Sequence, residues 1–215
     1  MSVALSLSTH PLRPTRPRRD IALSDHRDRA IDHDDHAQLL LRSDRGDRLR
    51  PWSVADAPIL VETFADPSLI RQIGEPPSDL AAAERWINDR TAAWESMRGY
   101  SWAVVSDATI VGSATVSSVD RRHGTGWVSY WTTQAMRGNG VAAAALRALA
   151  QWSFDDLELL RLELGHRSNN PASCRVATAA GFRVEGLERQ KLRYGCERFD
   201  VELHARLATD PFPPG

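Results

Sequence analysis

Arg137-Gly138-Asn139-Gly140-Val141-Ala142 is the stretch that decides the fold, because it joins a run of β-forming residues to a long helical repeat. Its two glycines allow backbone angles that residues with side chains avoid, so successive N–H groups can point at one place. The N-terminus of the following helix adds about half a positive charge, and Arg137 adds a full one. The stretch therefore predicts a loop that binds an anion such as a pyrophosphate.

The loop alone fits more than one ligand. The residues from Gly138 to Ala143 also match the dinucleotide-binding pattern GxGxxA, and Glu158 or Glu163 follows at about the distance expected for an acid that binds a ribose. An ordinary glycine-rich turn that binds no ligand is also compatible with this sequence. On the loop alone, the pyrophosphate of coenzyme A, a dinucleotide and a plain turn all stay open.

The order of the predicted elements separates these alternatives. Strands are predicted over residues 48–52, 100–105, 109–119, 125–131, 160–164, 184–192 and 199–207. Helices are predicted over 54–64, from a cap at Ser78 or Asp79 to Trp94, over 138–154 and over 171–180. Antiparallel hairpins thus precede the glycine-rich loop, and too little chain follows it for a doubly wound dinucleotide-binding sheet. The sequence predicts an α+β fold.

Composition excludes several classes of protein. The chain has 215 residues, of which 42% are hydrophobic and 26% charged, as in an ordinary soluble domain. Its net charge of -1 provides no electrostatic case for nucleic acid as a partner, and no apolar run is long enough to span a bilayer. Cys174 and Cys196, the only two cysteines, have no metal-binding or redox spacing. Because the sequence shows no secretory signal, we expect reduced thiols and a cytoplasmic protein.

The folded domain is predicted to cover residues 48–207. Residues 1–47 are polar and contain no Trp, Phe or Tyr, so they are expected to form a disordered leader, and residues 208–215 a disordered tail. His33-Asp34-Asp35-His36 offers metal-ligating side chains, but nothing in a solvated polar segment would hold them in fixed geometry. No metal site is therefore predicted.

Four segments resemble the GNAT acetyltransferases, and within them the RimJ/RimL-like branch. In chain order they are Leu49-Arg50-Pro51, Val128-Ser129-Tyr130-Trp131, the loop from Arg137 to Ala142, and Asn170-Pro171-Ala172-Ser173 followed by Gly181-Phe182. The resemblance covers about residues 48–207, and the last three segments together carry it. It implies the GNAT fold, a mixed and mostly antiparallel sheet with a central parallel splay, flanked by helices.

The resemblance also implies acetyl-CoA as the cosubstrate. Its pantetheine arm would lie in a V between two splayed parallel strands, Thr125–Trp131 and Leu160–Leu164. The expected cofactor-binding residues are those that follow the first strand, the loop and one later side chain: Trp131, Thr132, Thr133, Arg137, Gly138, Asn139, Gly140, Val141, Ala142 and Asn170. A backbone N–H near Tyr130 or Trp131 would stabilise the oxyanion of the tetrahedral intermediate.

Ser173 is the residue predicted to be catalytic. At the third position of its helix it could donate a hydrogen bond to the departing sulfur. Many GNAT enzymes give this role to a tyrosine one turn later, where this chain has Ala177. Asn170, directly before Pro171, is equally well explained as a helix cap, and it could serve both purposes.

The acceptor side departs from the family pattern. Where relatives usually have Glu, as a base or a holder of water, this chain has Trp127, which could line the acceptor pocket or belong to the core. The acceptor could also arrive as a neutral amine through a chain of water molecules. Four residues remain as unranked candidates for the base: Glu75, Asp120, His123 and Glu202.

The predicted function is transfer of acetyl from acetyl-CoA to a primary amine, either a protein N-terminus or a small molecule, by direct attack on the thioester. The alternative is a coenzyme-A-binding module that is inactive or regulatory because Trp127 replaces the glutamate. A homodimer is the assembly that the resemblance implies, and neither nucleic acid nor a membrane is an expected partner.

Overall fold

A mixed sheet of eight strands runs through the part of the chain that the computed structural model describes, residues 40–66, 69 and 76–213. The strands are β1 (Leu41–Arg42), β2 (Arg48–Pro51), β3 (Tyr100–Ser106), β4 (Thr109–Asp120), β5 (Thr125–Thr132), β6 (Arg161–Arg167), β7 (Arg183–Tyr194) and β8 (Glu197–Leu207). Their order in the sheet is β1-β2-β3-β4-β5-β6-β8-β7, and only β5 and β6 run parallel among these described neighbours. This confirms the predicted α+β class with a mostly antiparallel sheet.

Helices connect and cover these strands. Within the described residues they are α1 (Ala57–Phe64), α2 (Leu80–Glu95), α3 (Val141–Asp155) and α4 (Pro171–Ala179), with 3-10 turns at Val54–Asp56 and Gln134–Met136. Local sequence explains where α2 and α4 begin, because Asp79 and Asn170 accept backbone N–H groups of the first turns and Pro171 occupies the first position of α4. No helix in this part of the chain is both long and apolar enough to cross a membrane.

Buried side chains form two hydrophobic clusters, one on each face of the sheet. Along β3, Tyr100, Trp102 and Val104 belong to the larger cluster, whereas Ala103 and Val105 belong to the smaller one. Because successive side chains of a strand point to opposite faces, this alternation assigns the clusters to opposite sides. α3 contributes to the larger cluster and α1 to the smaller, so both faces of the sheet are covered.

The parallel strands β5 and β6 pair along only part of their length. The pairing of their Cα atoms stops at Trp127 and Glu163. Beyond this point β5 continues to Thr132 while paired with β4, and β6 continues to Arg167 while paired with β8. Each strand therefore stays bound to its outer neighbour while the two separate, which opens the expected V in the middle of the sheet.

The third helix begins later than the periodicity predicts. α3 starts at Val141, whereas the sequence predicts a start at Gly138. Gly138 and Gly140 have φ angles of 80° and 77°, which a right-handed helix excludes, so the loop extends to the first turn of α3. The 3-10 turn at Gln134–Met136, which the sequence reading did not predict, fills the gap between β5 and this loop.

The sheet also begins before the predicted domain boundary at residue 48. β1 pairs with β2 through Leu41 and Leu49. Past the predicted end of the domain, the carboxylate of Asp210 accepts the backbone N–H of Leu207 at 2.9 Å. Residues 40–47 and 208–213 therefore pack with the domain, although they were predicted as parts of the leader and the tail. Residues 1–39, including the segment 33–36, and residues 214–215 lie outside the described residues.

Candidate active site

The glycine-rich loop presents backbone N–H groups that no side chain caps. Gly140 is the N-cap residue of α3, and it has no side chain to bond the N–H groups of the first turn. Ala142 and Ala143, in that first turn, are small enough to let a ligand approach the backbone. An unsatisfied helix N-terminus with this geometry is a favourable position for a phosphate group.

Three arginines surround this loop. Arg137 lies within it and pairs with Asp66 at 3.7 Å, and Arg175 lines the adjoining cavity from α4. The third, Arg45, was not predicted: its Nη1 atom lies 3.8 Å from the position that a Cβ atom on Gly140 would occupy. Arg45 belongs to the segment that was expected to be a disordered leader, so nothing in the local sequence pointed to it. Arg45 also pairs with Asp47 at 3.2 Å, so carboxylates balance part of the positive charge that the three guanidinium groups bring to the loop.

A cavity of about 450 Å³ extends from the loop into the V, and we call it the donor cavity. It is lined by residues from the end of β5, the loop, the first turn of α3 and one side of α4 as far as Ala179. Most of the predicted cofactor-binding residues meet there, namely Trp131, Thr132, Arg137, Gly138, Gly140, Val141, Ala142 and Asn170. Ser173, the predicted catalytic residue, also lines it.

Thr133 and Asn139 are not among the residues that line the donor cavity. The N–H of Thr133 donates to the carbonyl of Val111 at 2.9 Å, and its carbonyl accepts from the N–H of Met136 at 3.1 Å. Both backbone groups of Thr133 are thus engaged within the protein, which argues against its predicted pairing with the pantetheine arm. The N–H of Asn139 lies 3.4 Å from the carbonyl of Met136, so Asn139 stabilises the loop from within.

Two hydrogen bonds position Ser173. The side-chain oxygen of Asn170 accepts the backbone N–H of Ser173 at 3.2 Å, so the helix-cap role of Asn170 is present in the structure. Across the V, the hydroxyl of Tyr130 donates to the carbonyl of Ser173 at 3.3 Å. Burial raises the pKa of Tyr130, so its phenol stays protonated and remains a donor near neutral pH. Tyr130, whose side chain the sequence reading left without a role, therefore fastens the start of α4 to β5.

A second cavity of about 300 Å³ adjoins the first, and we call it the acceptor cavity. The two cavities share Tyr130, Asn170 and Ser173. Trp127 lines the acceptor cavity and is only half-buried, so it is not simply a core residue. The ammonium nitrogen of Lys191 lies 5.7 Å from the centre of the Trp127 ring, in the range of a cation–π contact.

None of the described candidates for the base lines the acceptor cavity. Asp120 caps the turn between β4 and β5, where its carboxylate accepts two backbone N–H groups, including that of His123. The side chain of Glu202 lies 3.0 Å from the Nε2 atom of His204. Glu75 lies outside the described residues. The structure thus brings most of the predicted donor-side residues together, but not a carboxylate in the position left by Trp127.

Comparisons with known proteins agree with this geometry. A family model described as the acetyltransferase (GNAT) domain matches residues 48–183. The uncharacterized N-acetyltransferase p20 of Bacillus licheniformis is 26% identical over 166 residues, which span 75% of this chain and 93% of that protein. The ribosomal-protein-serine acetyltransferase of Escherichia coli (strain K12) is 29% identical over 112 residues, or 51% of this chain and 63% of that protein. Among solved structures, Mycobacterium smegmatis RimJ in complex with CoA-disulfide is 26% identical and has a TM-score of 0.72, covering 79% of this chain and 86% of that one.

Proposed function

The chain belongs to the GNAT acetyltransferase family, and we propose that it transfers acetyl from acetyl-CoA, bound in the donor cavity, to a primary amine that enters the acceptor cavity. One observation carries the proposal: the two cavities meet at Tyr130, Asn170 and Ser173, where β5 and β6 have separated. A thioester bound at this junction is open to an acceptor on one side while its cofactor is held on the other.

The donor cavity suits the charge and shape of acetyl-CoA. The diphosphate would lie on the uncapped N–H groups of α3, in the field of Arg45, Arg137 and Arg175. The pantetheine arm would follow β5 through the V, where the backbone of Trp131 and Thr132 borders the cavity. This placement directs the thioester toward Ser173.

Chemistry at the junction needs two hydrogen-bond donors. When the amine nitrogen attacks the thioester carbonyl, a backbone N–H at the end of β5 would stabilise the oxyanion, an effect of about 3 kcal/mol in other acyl-transfer enzymes. Collapse of the intermediate then breaks the C–S bond and releases a thiolate. The hydroxyl of Ser173 would donate a hydrogen bond to this sulfur, which takes up the proton that the amine loses.

The acceptor cavity explains how the enzyme works with Trp127 in place of a glutamate. Lys191 and Arg167 line this cavity, so it carries positive charge. Nearby cations disfavour a protonated amine and lower the pKa of the acceptor. The neutral, nucleophilic amine is therefore the form that binds, so that no carboxylate base is needed before the attack.

The acceptor is proposed to be the N-terminus of a protein. The support is the similarity to the ribosomal-protein-serine acetyltransferase of Escherichia coli. A small amine is the second candidate, because the acceptor cavity of about 300 Å³ would also hold one. The cytoplasmic location and the homodimer stay predictions, to be tested by cell fractionation and by light scattering after gel filtration.

Two measurements test the proposed function. Acetyl-CoA should raise the thermal unfolding temperature of the purified protein, and failure to do so would overturn every role that involves coenzyme A. Release of the coenzyme A thiol should then be followed with a panel of N-terminal peptides and small amines. Tight binding of acetyl-CoA without turnover of any acceptor would favour the inactive or regulatory module instead.

A further inference from the structure

Four side chains with metal-ligating atoms meet beside the acceptor cavity, which one of them, His166, also lines, and the proposed acetyl transfer uses none of them. They are His166 on β6, Cys174 on α4, and Glu202 and His204 on β8. His166 and Glu202 are direct partners in the β6–β8 ladder, and His204 lies two residues farther along the same face as Glu202. One ligand atom from each of the four lies within 4.8 Å of all the others. The register of two strands and one helix has therefore assembled a compact cluster, which we call the His–Cys–Glu cluster.

Three of these ligand atoms form a tight triangle. The Nε2 atom of His204 lies 3.0 Å from the Nε2 atom of His166 and 3.0 Å from Oε1 of Glu202, and the latter two atoms are 3.4 Å apart. The Nδ1 atom of His166 lies 3.0 Å from the carbonyl oxygen of Arg167, which can only accept. Nδ1 therefore carries the ring proton of neutral His166, and its Nε2 atom directs a lone pair into the triangle.

The triangle has fewer protons than its lone pairs require. His166 and Glu202 both present lone pairs, and a neutral His204 can offer at most one N–H between them. Both imidazoles are buried, with relative exposures of 8% for His166 and 1% for His204, whereas the Glu202 side chain is 28% exposed, so the lone pair of His166 is the one most costly to leave without a partner. Convergent lone pairs in a buried site are the arrangement that a bound cation stabilises.

We propose that the His–Cys–Glu cluster binds one Zn²⁺ ion. Nitrogen and sulfur ligands favour Zn²⁺ over Mg²⁺ or Ca²⁺, which require oxygen ligands. In a tetrahedral zinc site with Zn–N bonds of about 2.1 Å, the ligand atoms are about 3.4 Å apart, close to the separations in the triangle. The Arg167 carbonyl that orients His166 is the kind of second contact that ligating histidines make. The Nδ1 atom of His204 has no such contact among the described residues.

Cys174 supplies the fourth ligand. Its thiol lies within hydrogen-bonding reach of Glu202. On binding Zn²⁺, the thiol releases its proton to solvent and the sulfur bonds the metal, while the bond between Cys174 and Glu202 is replaced by their shared ion. With four protein ligands the site is closed, as in structural zinc sites. Zinc would therefore fasten α4, and with it the neighbouring Ser173, to β6 and β8.

Spectroscopy with Co²⁺ tests the ligand set directly and does not depend on acetyl transfer. Untagged protein is stripped with a chelator and titrated with Co²⁺, which reports thiolate ligation through a charge-transfer band in the near ultraviolet. The wild type should show this band together with intense tetrahedral bands in the visible, and Cys174→Ser should lose the charge-transfer band. Cys196→Ser is the matched control, because Cys196 is the other free cysteine and is exposed away from the cluster; it should keep the full spectrum.

Zinc binding is measured on the same proteins. The stripped wild type should retain one Zn²⁺ per chain after gel filtration and unfold at a higher temperature when zinc is added. Glu202→Gln and Cys174→Ser should bind Zn²⁺ at least about tenfold more weakly, and neither change empties a fully buried position. The proposal would be overturned if the wild-type protein took up no zinc, or if the variants bound zinc as tightly as the wild type does. The four side chains would then form a hydrogen-bonded cluster only. Because the readouts are metal content and unfolding, a failed assay of acetyl transfer leaves this test intact.

Discussion

Arg147 in α3 donates a 2.6 Å hydrogen bond from Nε to the carboxylate of Asp44. Asp44 belongs to the turn between β1 and β2, so this ion pair fastens the turn to the helix whose N-terminus forms the anion site. The next residue along the turn, Arg45, lies beside Gly140 as a consequence. A contact between residues more than a hundred positions apart thus helps to place a cation at the phosphate loop.

Asp44→Asn should lower the free energy of unfolding by about 1 kcal/mol at neutral pH, since it removes the partly exposed partner of the buried Arg147. The hydrogen bond from Arg147 lowers the pKa of Asp44 below 3.8. A carboxylate with a lowered pKa stabilises the fold above its unfolded-state pKa and loses that effect as the pH falls through the folded-state value. The difference between Asp44→Asn and the wild type in urea unfolding should therefore shrink below about pH 4. Glu62→Gln, on an exposed face of α1, should show no such difference, and an equal effect of both changes would contradict the role of the ion pair.

Arg45→Ala should weaken the binding of acetyl-CoA by about tenfold, because it removes a charge beside the uncapped end of α3. Calorimetric titration at low and high salt checks this, and the gap between variant and wild type should narrow as salt screens the charge. Arg48→Ala is the matched control on the neighbouring strand, where the side chain is exposed. Repeating the titration with dephospho-CoA shows which phosphate Arg45 contacts. Unchanged affinity in Arg45→Ala would place the phosphates elsewhere.

The sequence predicted those parts of the site whose residues lie in short, continuous segments of the chain. Gly138 and Gly140 both have positive φ, which favours glycine, and Asn170 caps α4 three residues before Ser173, so local pattern was sufficient for these elements. Arg45 was missed because its role depends on packing against α3. A polar segment without large apolar side chains gives no sequence signal of such packing.

The His–Cys–Glu cluster was missed for a different reason. His166 and Glu202 become neighbours only through the register of β6 against β8, and Cys174 joins them only after α4 has packed over the strands. Their separations along the chain match no metal-binding spacing. Sequence patterns report on residues that share one element, whereas this cluster draws on three.

Ser173→Ala should lower kcat by about 10- to 100-fold, since a donor to the departing sulfur acts only in the transition state. The affinity for acetyl-CoA should stay close to that of the wild type, which separates a catalytic role from a binding one. Ser168→Ala is a nearby control: Ser168 is exposed, its backbone N–H bonds to Asp200, and it lines neither cavity. Equal kcat values for Ser173→Ala and the wild type would remove Ser173 from the mechanism.

Lys191→Met should shift the pH dependence of acetyl transfer to higher pH. Lys191 lines the acceptor cavity, where its positive charge lowers the pKa of a bound amine and so raises the neutral fraction at a given pH. Without that charge the pKa of the bound amine rises, and the acid limb of the profile of kcat against pH, which reports groups in the enzyme–substrate complex, should move up by about 0.5 unit, a modest shift because the side chain is exposed and pairs with Glu188. The KM for acetyl-CoA should not change, since Lys191 does not line the donor cavity.

Arg189→Met removes a charge from the same strand outside both cavities, and its pH profile should match that of the wild type. If both variants shift equally, the effect belongs to the general charge of the strand, and the acceptor does not bind beside Lys191.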